Sequence, residues 1–555
     1  MTTRMFYGGL TILILLTLAV ASIPITRNAQ AQNNSPAPVV RAAQKWDTSL
    51  PLRDLEFEAL QLSQRSETIE IPNRSLTQDY PPGSPQILDH VLQDSFIIIS
   101  NLKTIFNVEG INNVNLVLPP DTQGDIGPDH YVQIVNMSFA VWDRAGNKIL
   151  GPLNNNYLWR GFGGPCELTN DGDPIVLYDH LADRWLLSQF ALPNKSINEG
   201  PYYQCIAVST SGDPTGSWSR YEYLISQTIL NDYPKFGVWP DGYYLAFNQF
   251  ELLFHGWLEA GQGVAVFERD QMLLGEPADM IYFDMQSSAP DLAGMLPADL
   301  DGPPPPAGAP NPYMRVYDGN PDQLQIWEFH VDWMNPYKST FTFKQSLPTA
   351  PFDSNMCYGS RNCIPQPGGT NVDAIADRLM YRLQYRNFGG SQSLVTNHTV
   401  DADGSDHAGV RWYELRDNGG GWNIRQQGTY APDSDHRWMG SAAMNGYGDI
   451  ALGYSVSSTE TYPSIRFTGR ILGDEYGKMP LGEGEIIAGS GYQTYATGRW
   501  GDYSMMSVDP LDDCTFWYTQ EYYAAPGIAS WQTRIASFKL RECVPLMLYF
   551  PLIGN

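Results

Sequence analysis

Acidic residues recur at the starts of strand-like runs in this chain: Asp125 after Gly124, Asp173 after Gly172, Asp232, Asp373, and Asp502 after Gly501. Arg437 and Arg499 stand at matching places. If such starts converge on one point, paired carboxylates there could act as general acid and base, or as nucleophile, on a glycosidic bond. The arginines would then hold an anionic sugar through bidentate contacts. The competing reading is that each Asp caps its own turn through backbone N–H groups, and for any single residue that is the more common outcome. No catalytic role is assigned to one of these residues individually.

A second acidic set lies in Asp401-Ala402-Asp403-Gly404-Ser405-Asp406. Asp401, Asp403 and Asp406 on a short glycine-containing loop are the kind of oxygen ligands that a hard cation such as Ca2+ needs. The distal Glu of an EF-hand is missing, and a solvated acidic turn is the competing reading. No organic cofactor is expected. HExxH, the P-loop, GxGxxG after a strand and the GxSxG nucleophile elbow are all absent, and the eight histidines are scattered. Trp142, Trp159, Trp185, Trp438, Trp500 and Trp517 could stack on sugar faces, although most are expected in the core.

The elements that would position these residues are short strands. Aromatics make up 12% of the chain, and 51 Gly and 41 Pro favour tight turns over long helices. The pattern of a Gly-Asp start, an apolar run, an Asp-containing turn and an aromatic run is clearest in 499–518 and in 172–187, where Asp509/Asp513 and Asp179/Asp183 have the same spacing. Related units begin near Gly124, Asp232, Asp299, Asn371 and Arg437. A multi-stranded unit repeated in this way points to an all-β fold, a β-propeller of seven blades with an uncertainty of one. A pair of β-sandwiches would have similar strand density but no reason to repeat the Gly-Asp start.

The domain organisation follows from composition. Residues 1–31 combine Arg4, an apolar run from Leu10 to Val20 and Ala29-Gln30-Ala31, which read as a secretory signal peptide. Residues 32–95 are Pro-rich and are expected to form a linker and extended N-terminal arm, residues 96–543 the propeller, and residues 544–555 a short apolar tail. No stretch reaches the roughly 20 apolar residues of a spanning helix. Six cysteines in an exported chain imply disulfides, and proximity suggests Cys166 with Cys205, Cys357 with Cys363, and Cys514 with Cys543. The net charge of −26 repels a phosphate backbone, so nucleic acid is not an expected partner.

Ser211-Gly212-Asp213-Pro214-Thr215-Gly216-Ser217-Trp218 resembles the Asp-box of sialidase-like propellers, with one extra residue between Asp213 and Gly216. In that family the box stabilises a hairpin turn on the outer part of a blade, so the resemblance implies fold and no catalytic role. The units at 121–142, 172–191 and 499–523 look like those of secreted bacterial propeller proteins of unassigned activity. The expected function is an extracellular or cell-surface protein, a monomer, that binds polysaccharide or glycoprotein through its axial face. The alternatives are a sialidase-like glycoside hydrolase using axial carboxylates and arginines, and a protein-binding scaffold or adhesin.

Overall fold

The computed structural model describes residues 36–55, 69–70, 89–97, 102–253, 256–359 and 361–543. The signal segment and the apolar tail expected from the sequence lie outside the described residues. Seven four-stranded antiparallel meanders follow one another along the chain. Their innermost strands are Gln123–Ile126, Ile175–Asp179, Ile229–Trp239, Leu296–Asp301, Met380–Asn387, His436–Met444 and Met505–Val508. Each of these touches the innermost strands of the meanders before and after it, and the last touches the first, so the sheets close into a seven-bladed propeller. In the fourth and fifth blades the contact is a parallel ladder that pairs Ala298 with Leu383 and Asp301 with Arg386.

Closure is made by the N-terminal part of the chain. The seventh blade takes three strands from the C-terminal part, and its fourth is Thr104–Glu109, which pairs with Trp531–Phe538. Gln133 of the first blade seals that seam: its carbonyl oxygen accepts from the Ile111 N–H at 2.6 Å, and its amide donates to Thr519 Oγ1 at 2.6 Å and Thr533 Oγ1 at 3.0 Å. Farther out, the arm adds edge strands. Val39–Ala42 extends the third blade, Lys45–Thr48 the second, and Leu92–Gln93 lies parallel to Asn423–Tyr430 of the fifth. Each addition covers backbone groups that would otherwise form an open sheet edge.

Radial sheets are buried on both faces, so their strands read as nearly continuous apolar runs instead of alternating ones. Ile175-Val176-Leu177-Tyr178 is one such run, and every residue of it is buried. On the uncovered outer strand of the fourth blade, Thr340–Pro348, Phe341 is buried between exposed Thr340 and Thr342. The six tryptophans considered for sugar stacking are all buried, as core.

Two unit starts differ from those read in the sequence. Gly124-Asp125 lies inside the first innermost strand, whereas Gly172-Asp173 precedes the second, so Asp121 is the true counterpart of Asp173. Both enter their strands with a left-handed backbone, at φ +48° and +45°. In the fifth unit, Val372–Asp373 pairs with Asn362–Ile364 outside the blade, and the blade begins at Met380. The apolar signal at Val372-Asp373-Ala374-Ile375 reflects burial in an inter-blade connection, not an innermost strand.

Three disulfides are present: Cys166–Cys205, Cys357–Cys363, which closes a short loop within the connection before the fifth blade, and Cys514–Cys543. The first joins the helical turn Pro165–Leu168 to a strand of the second blade, and both of its cysteines are buried. Non-reducing peptide mapping should recover these three bridges. The double substitution of Cys166 and Cys205 by Ser should cost about 2 to 4 kcal/mol in denaturant unfolding.

Candidate functional site

The axis has two ends, one where the chain enters the innermost strands and one where it leaves them. Asp121, Asp173, Asp232 and Asp502 all stand at the entry end. There the carboxylates of Asp121 and Asp173 serve as inter-blade fasteners. Asp173 of the second blade accepts from the Tyr233 N–H of the third at 3.1 Å, and Asp121 of the first accepts from the Asp502 N–H of the seventh at 2.7 Å. Arg499 donates to Asp373 at 2.8 Å and to Asp502 at 2.7 Å. The sequence alternatives were a converging pocket or a cap on each residue's own turn. The bonds of Asp121 and Asp173 run instead to the neighbouring blade.

A lysine and two tyrosines fill the space between these carboxylates. Lys235 Nζ lies 3.5 Å from the centroid of the Tyr233 ring and 3.7 Å from that of Tyr503. The two rings meet edge to face at 5.7 Å. Each tyrosine bonds across the axis to a blade that is not its neighbour: Tyr233 Oη donates to the Asp502 carbonyl and Tyr503 Oη to the Pro174 carbonyl, both at 3.3 Å. Lys235 and both tyrosines are buried. Burial pushes the Lys235 ammonium down, while Asp173, Asp121 and Asp502 oppose that shift. Burial pushes Asp121 up, reinforced by the charges of Asp502 and Asp173. Glu521, which accepts from the Gly501 N–H, is raised well above its ordinary value, chiefly by burial.

The exit end is open. A cavity of about 270 Å³ there is lined by Asp125, Ile126, Pro128, Tyr178, His180, Asp301, Gly302, Val508, Pro510 and Asp513. These residues come from the first, second, fourth and seventh blades. Burial pushes Asp125 up to about 7, against the opposing charge of Arg382 and a hydrogen bond from the Tyr178 N–H. Its Oδ1 accepts from the Ile126 N–H at 2.8 Å and its Oδ2 from the Tyr178 N–H at 2.7 Å. Behind the wall, Arg382 bridges Asp299, at 2.9 Å, and Asp301, to which Gln384 also donates. Arg386 pairs with Asp513. His180 Nε2 lies 2.7 Å from the Gly302 carbonyl, which fixes the proline-rich loop after the fourth innermost strand beside the cavity.

The remaining predicted residues are not brought to the axis. Arg437 is held by Glu483 and Asp433, each at 2.7 Å, so its guanidinium is committed to an ion-pair network within the sixth unit. Asp373 bonds Arg499 from the connection before the fifth blade. In the acidic loop, Asp401 accepts from the Asp403, Gly404 and Asp406 N–H groups, Asp403 from Ser405, and Asp406 from the Cys357 N–H. Among the described residues no group of three or more His, Cys, Asp or Glu is arranged to hold a metal ion. Asp401 and Asp403 close turns within that loop, and Asp406 ties it to the segment at Cys357. The Asp213 turn similarly bonds Thr215 N–H at 2.9 Å and receives Arg53 of the arm at 2.7 Å.

Sequence reasoning passed over Lys235, Tyr233, Tyr503, Asp301, Arg382 and Arg386. Part of that set was legible: Asp299 and Asp301, and Arg382, Gln384 and Arg386, recur at the period of two that puts strand residues on one face. Lys235 carries no comparable signal, because a lone lysine after a proline usually faces solvent.

No family model and no curated protein matches the chain. Among solved structures, the chain is similar to a Trypanosoma rangeli sialidase in complex with the inhibitor DANA, at 10% identity and a TM-score of 0.31, covering 66% of this chain and 54% of that one. The chain thus spans about half the length of that sialidase. It is also similar to a Hadza microbial sialidase, at 10% identity and a TM-score of 0.33, covering 75% and 74%. An endo-arabinase from Bacteroides thetaiotaomicron matches at 11% identity and a TM-score of 0.25, covering 55% and 95%. These neighbours are glycan-active proteins, and at such low scores the likeness carries no weight for the activity of this chain.

Two outcomes follow for the entry end. Lys235→Met removes the cation from a buried acidic cluster, and should cost about 3 to 5 kcal/mol in chemical denaturation, since a buried charge left uncompensated is strongly destabilising. Glu521→Gln should act in the opposite sense. The native carboxyl keeps its proton above the ordinary value of 4.5 while the unfolded one loses it, so wild-type stability falls as pH rises through that window. The Gln variant cannot titrate, and its stability relative to wild type should therefore increase from pH 4.5 upward in parallel denaturant titrations.

Proposed function

We propose that this is an extracellular binding module for a hydroxyl-rich glycan, held in the exit-end cavity of the propeller. The observation that carries the reading is the composition of the cavity wall. Asp125, Asp301 and Asp513 line the cavity together with the apolar Ile126, Pro128, Tyr178, Val508 and Pro510. Sugar hydroxyls need acceptors, and the C–H faces of a pyranose need apolar contact. A volume of 270 Å³ lies near the lower bound of about 300 Å³ for ligand pockets, which suits one ring or a chain end. Three disulfides fit an extracellular protein. Secretion through the N-terminal segment belongs to the same proposal.

A hydrolase is the second reading, and the raised Asp125 favours it: a carboxyl with a pKa of about 7 shares the cavity with Asp301 and Asp513. Binding is preferred because both Asp125 oxygens already accept backbone N–H groups, which makes this carboxyl a clamp between the first and second blades. The sialidase-like form of the second reading has less support, since Arg437 and Arg499 sit in separate ion-pair networks.

The mature chain is expected to bind on a glycan array and to leave a panel of aryl glycosides uncleaved, with Asp301→Asn weakening the binding about ten-fold, the scale of one charged hydrogen bond. Turnover that disappears in Asp125→Asn would replace the binding reading with the hydrolase. Silence in both assays would favour a protein-binding scaffold.

A further inference from the structure

The side chains that line the exit-end cavity offer acceptors and keep no donor free. Asp301 holds Arg382 and Gln384 through Oδ2, and its Oδ1 takes no hydrogen bond. Asp513 holds Arg386 through Oδ1, and its Oδ2 is likewise unbonded. His180 Nε2 faces the Gly302 carbonyl, which can only accept, so that nitrogen carries the proton and Nδ1 of the neutral ring presents a lone pair. All three residues line the cavity, and none of these three atoms is closed off from solvent. Donors on the same wall are spent within the protein: Tyr178 Oη donates to Asp183 at 2.7 Å, the Ile126 and Tyr178 N–H groups to Asp125, and the Asp513 N–H to the Asp509 carbonyl. Among the described residues, no Lys, Arg, Asn, Gln, Ser or Thr lines the space.

We propose that the ligand of this cavity is an amino sugar with a free, protonated amine, and that Asp301, Asp513 and His180 are the acceptors that select it. The inference rests on the glycan reading of the cavity and narrows it to a ligand class. An ammonium has three donors and no acceptor, the complement of a wall that accepts and does not donate. Carboxylate and sulfate groups, which only accept, would find no partner there. Charge points the same way. Arg382 and Arg386 lie behind the wall as the counter-ions of Asp299, Asp301 and Asp513, and Asp125 adds a fourth carboxyl. Burial pushes Asp125 up to about 7, and the charges of Asp301 and Asp299 add to that shift, as expected where carboxylates outnumber the guanidiniums. Asp301 and Asp513 are each held at one oxygen by an arginine, so the other oxygen is fixed in place before a ligand arrives, which lowers the cost of ordering on binding. The apolar Ile126, Pro128 and Val508 remain for the C–H face of the ring.

The test titrates the full mature chain by NMR or calorimetry at mildly acidic pH, where a sugar amine is charged. The ligands are the methyl glycosides of glucosamine and galactosamine, their N-acetyl forms, the methyl glycosides of glucose, galactose and glucuronic acid, and Nα-acetyl-lysine amide as an ammonium without a sugar. At least one amino glycoside should bind about ten-fold or more tightly than its hydroxyl and N-acetyl counterparts. Added salt should weaken that binding and leave the neutral glycosides unaffected. Asp513→Asn should lower affinity for the amino glycoside about ten-fold while changing that for the neutral one by less than about two-fold, a split that loss of structure alone would not produce. Should this variant fail to fold, the ligand series on wild-type protein still decides the matter. Amino and neutral forms that bind within about two-fold of each other would overturn this inference and leave the glycan reading standing. Tighter binding of the glucuronide would overturn the assignment of a cation. A lysine derivative that binds as tightly as the amino glycosides would remove the sugar from the assignment in favour of a protein ligand. Absence of binding to every compound, together with silence on the glycan array, would overturn both this inference and the reading beneath it.

Discussion

The closed ring depends on what fills its axis at the entry end. Seven sheets meeting edge-on leave a central space into which backbone N–H groups and carbonyls point, and those groups must be bonded. Lys235 between the rings of Tyr233 and Tyr503 fills that space with one cation–π stack and two bonds across the axis. Asp121 and Asp173 then take the inward N–H groups of adjacent blades. A cation within a cluster of carboxylates settles which blades lie opposite one another. A purely apolar plug would fill the volume without that information.

Ion pairs between blades recur toward the other end of the innermost strands. Asp179 of the second blade accepts from Arg269 of the third at 2.7 Å and 3.1 Å, and the Tyr243 hydroxyl bonds the same carboxylate. Asp509 of the seventh blade receives Arg144 of the first, across the closing seam. Arg382 of the fifth holds Asp299 of the fourth. Desolvation offsets much of the Coulomb gain in each pair, so their clearest contribution is to register between blades. Hydrophobic burial between the radial sheets supplies the bulk of the stability.

A functional consequence follows from this division of labour. The carboxylates at the entry end are consumed by closure, and the exit end, where the innermost strands finish in loops, is left with a cavity. In the proline-rich loop after Asp301, His180 bonds the Gly302 carbonyl and Asn387 the Pro304 carbonyl, which holds the loop in place where Gly302 lines the cavity.

The amino-acid sequence by itself determined the all-β class and the turn pairs Asp179/Asp183 and Asp509/Asp513, and local spacing suggested seven units, to within one, and the cysteine pairs that the structure contains. Asp183 and Asp513 indeed carry the left-handed backbone, φ +54° and +50°, that such turns require. Which carboxylates meet was a different matter. Asp125 and Asp173 share a Gly-Asp signature yet lie at opposite ends of the axis, since a shift of register along a strand moves a residue by several ångströms without altering the pattern. Lys235 and Tyr503 at one end, and Arg386 and Asp513 at the other, come from blades far apart in the chain, and each meeting depends on the order in which the ring closes. Only the tertiary structure decided it, because convergence on an axis is a property of seven sheets together.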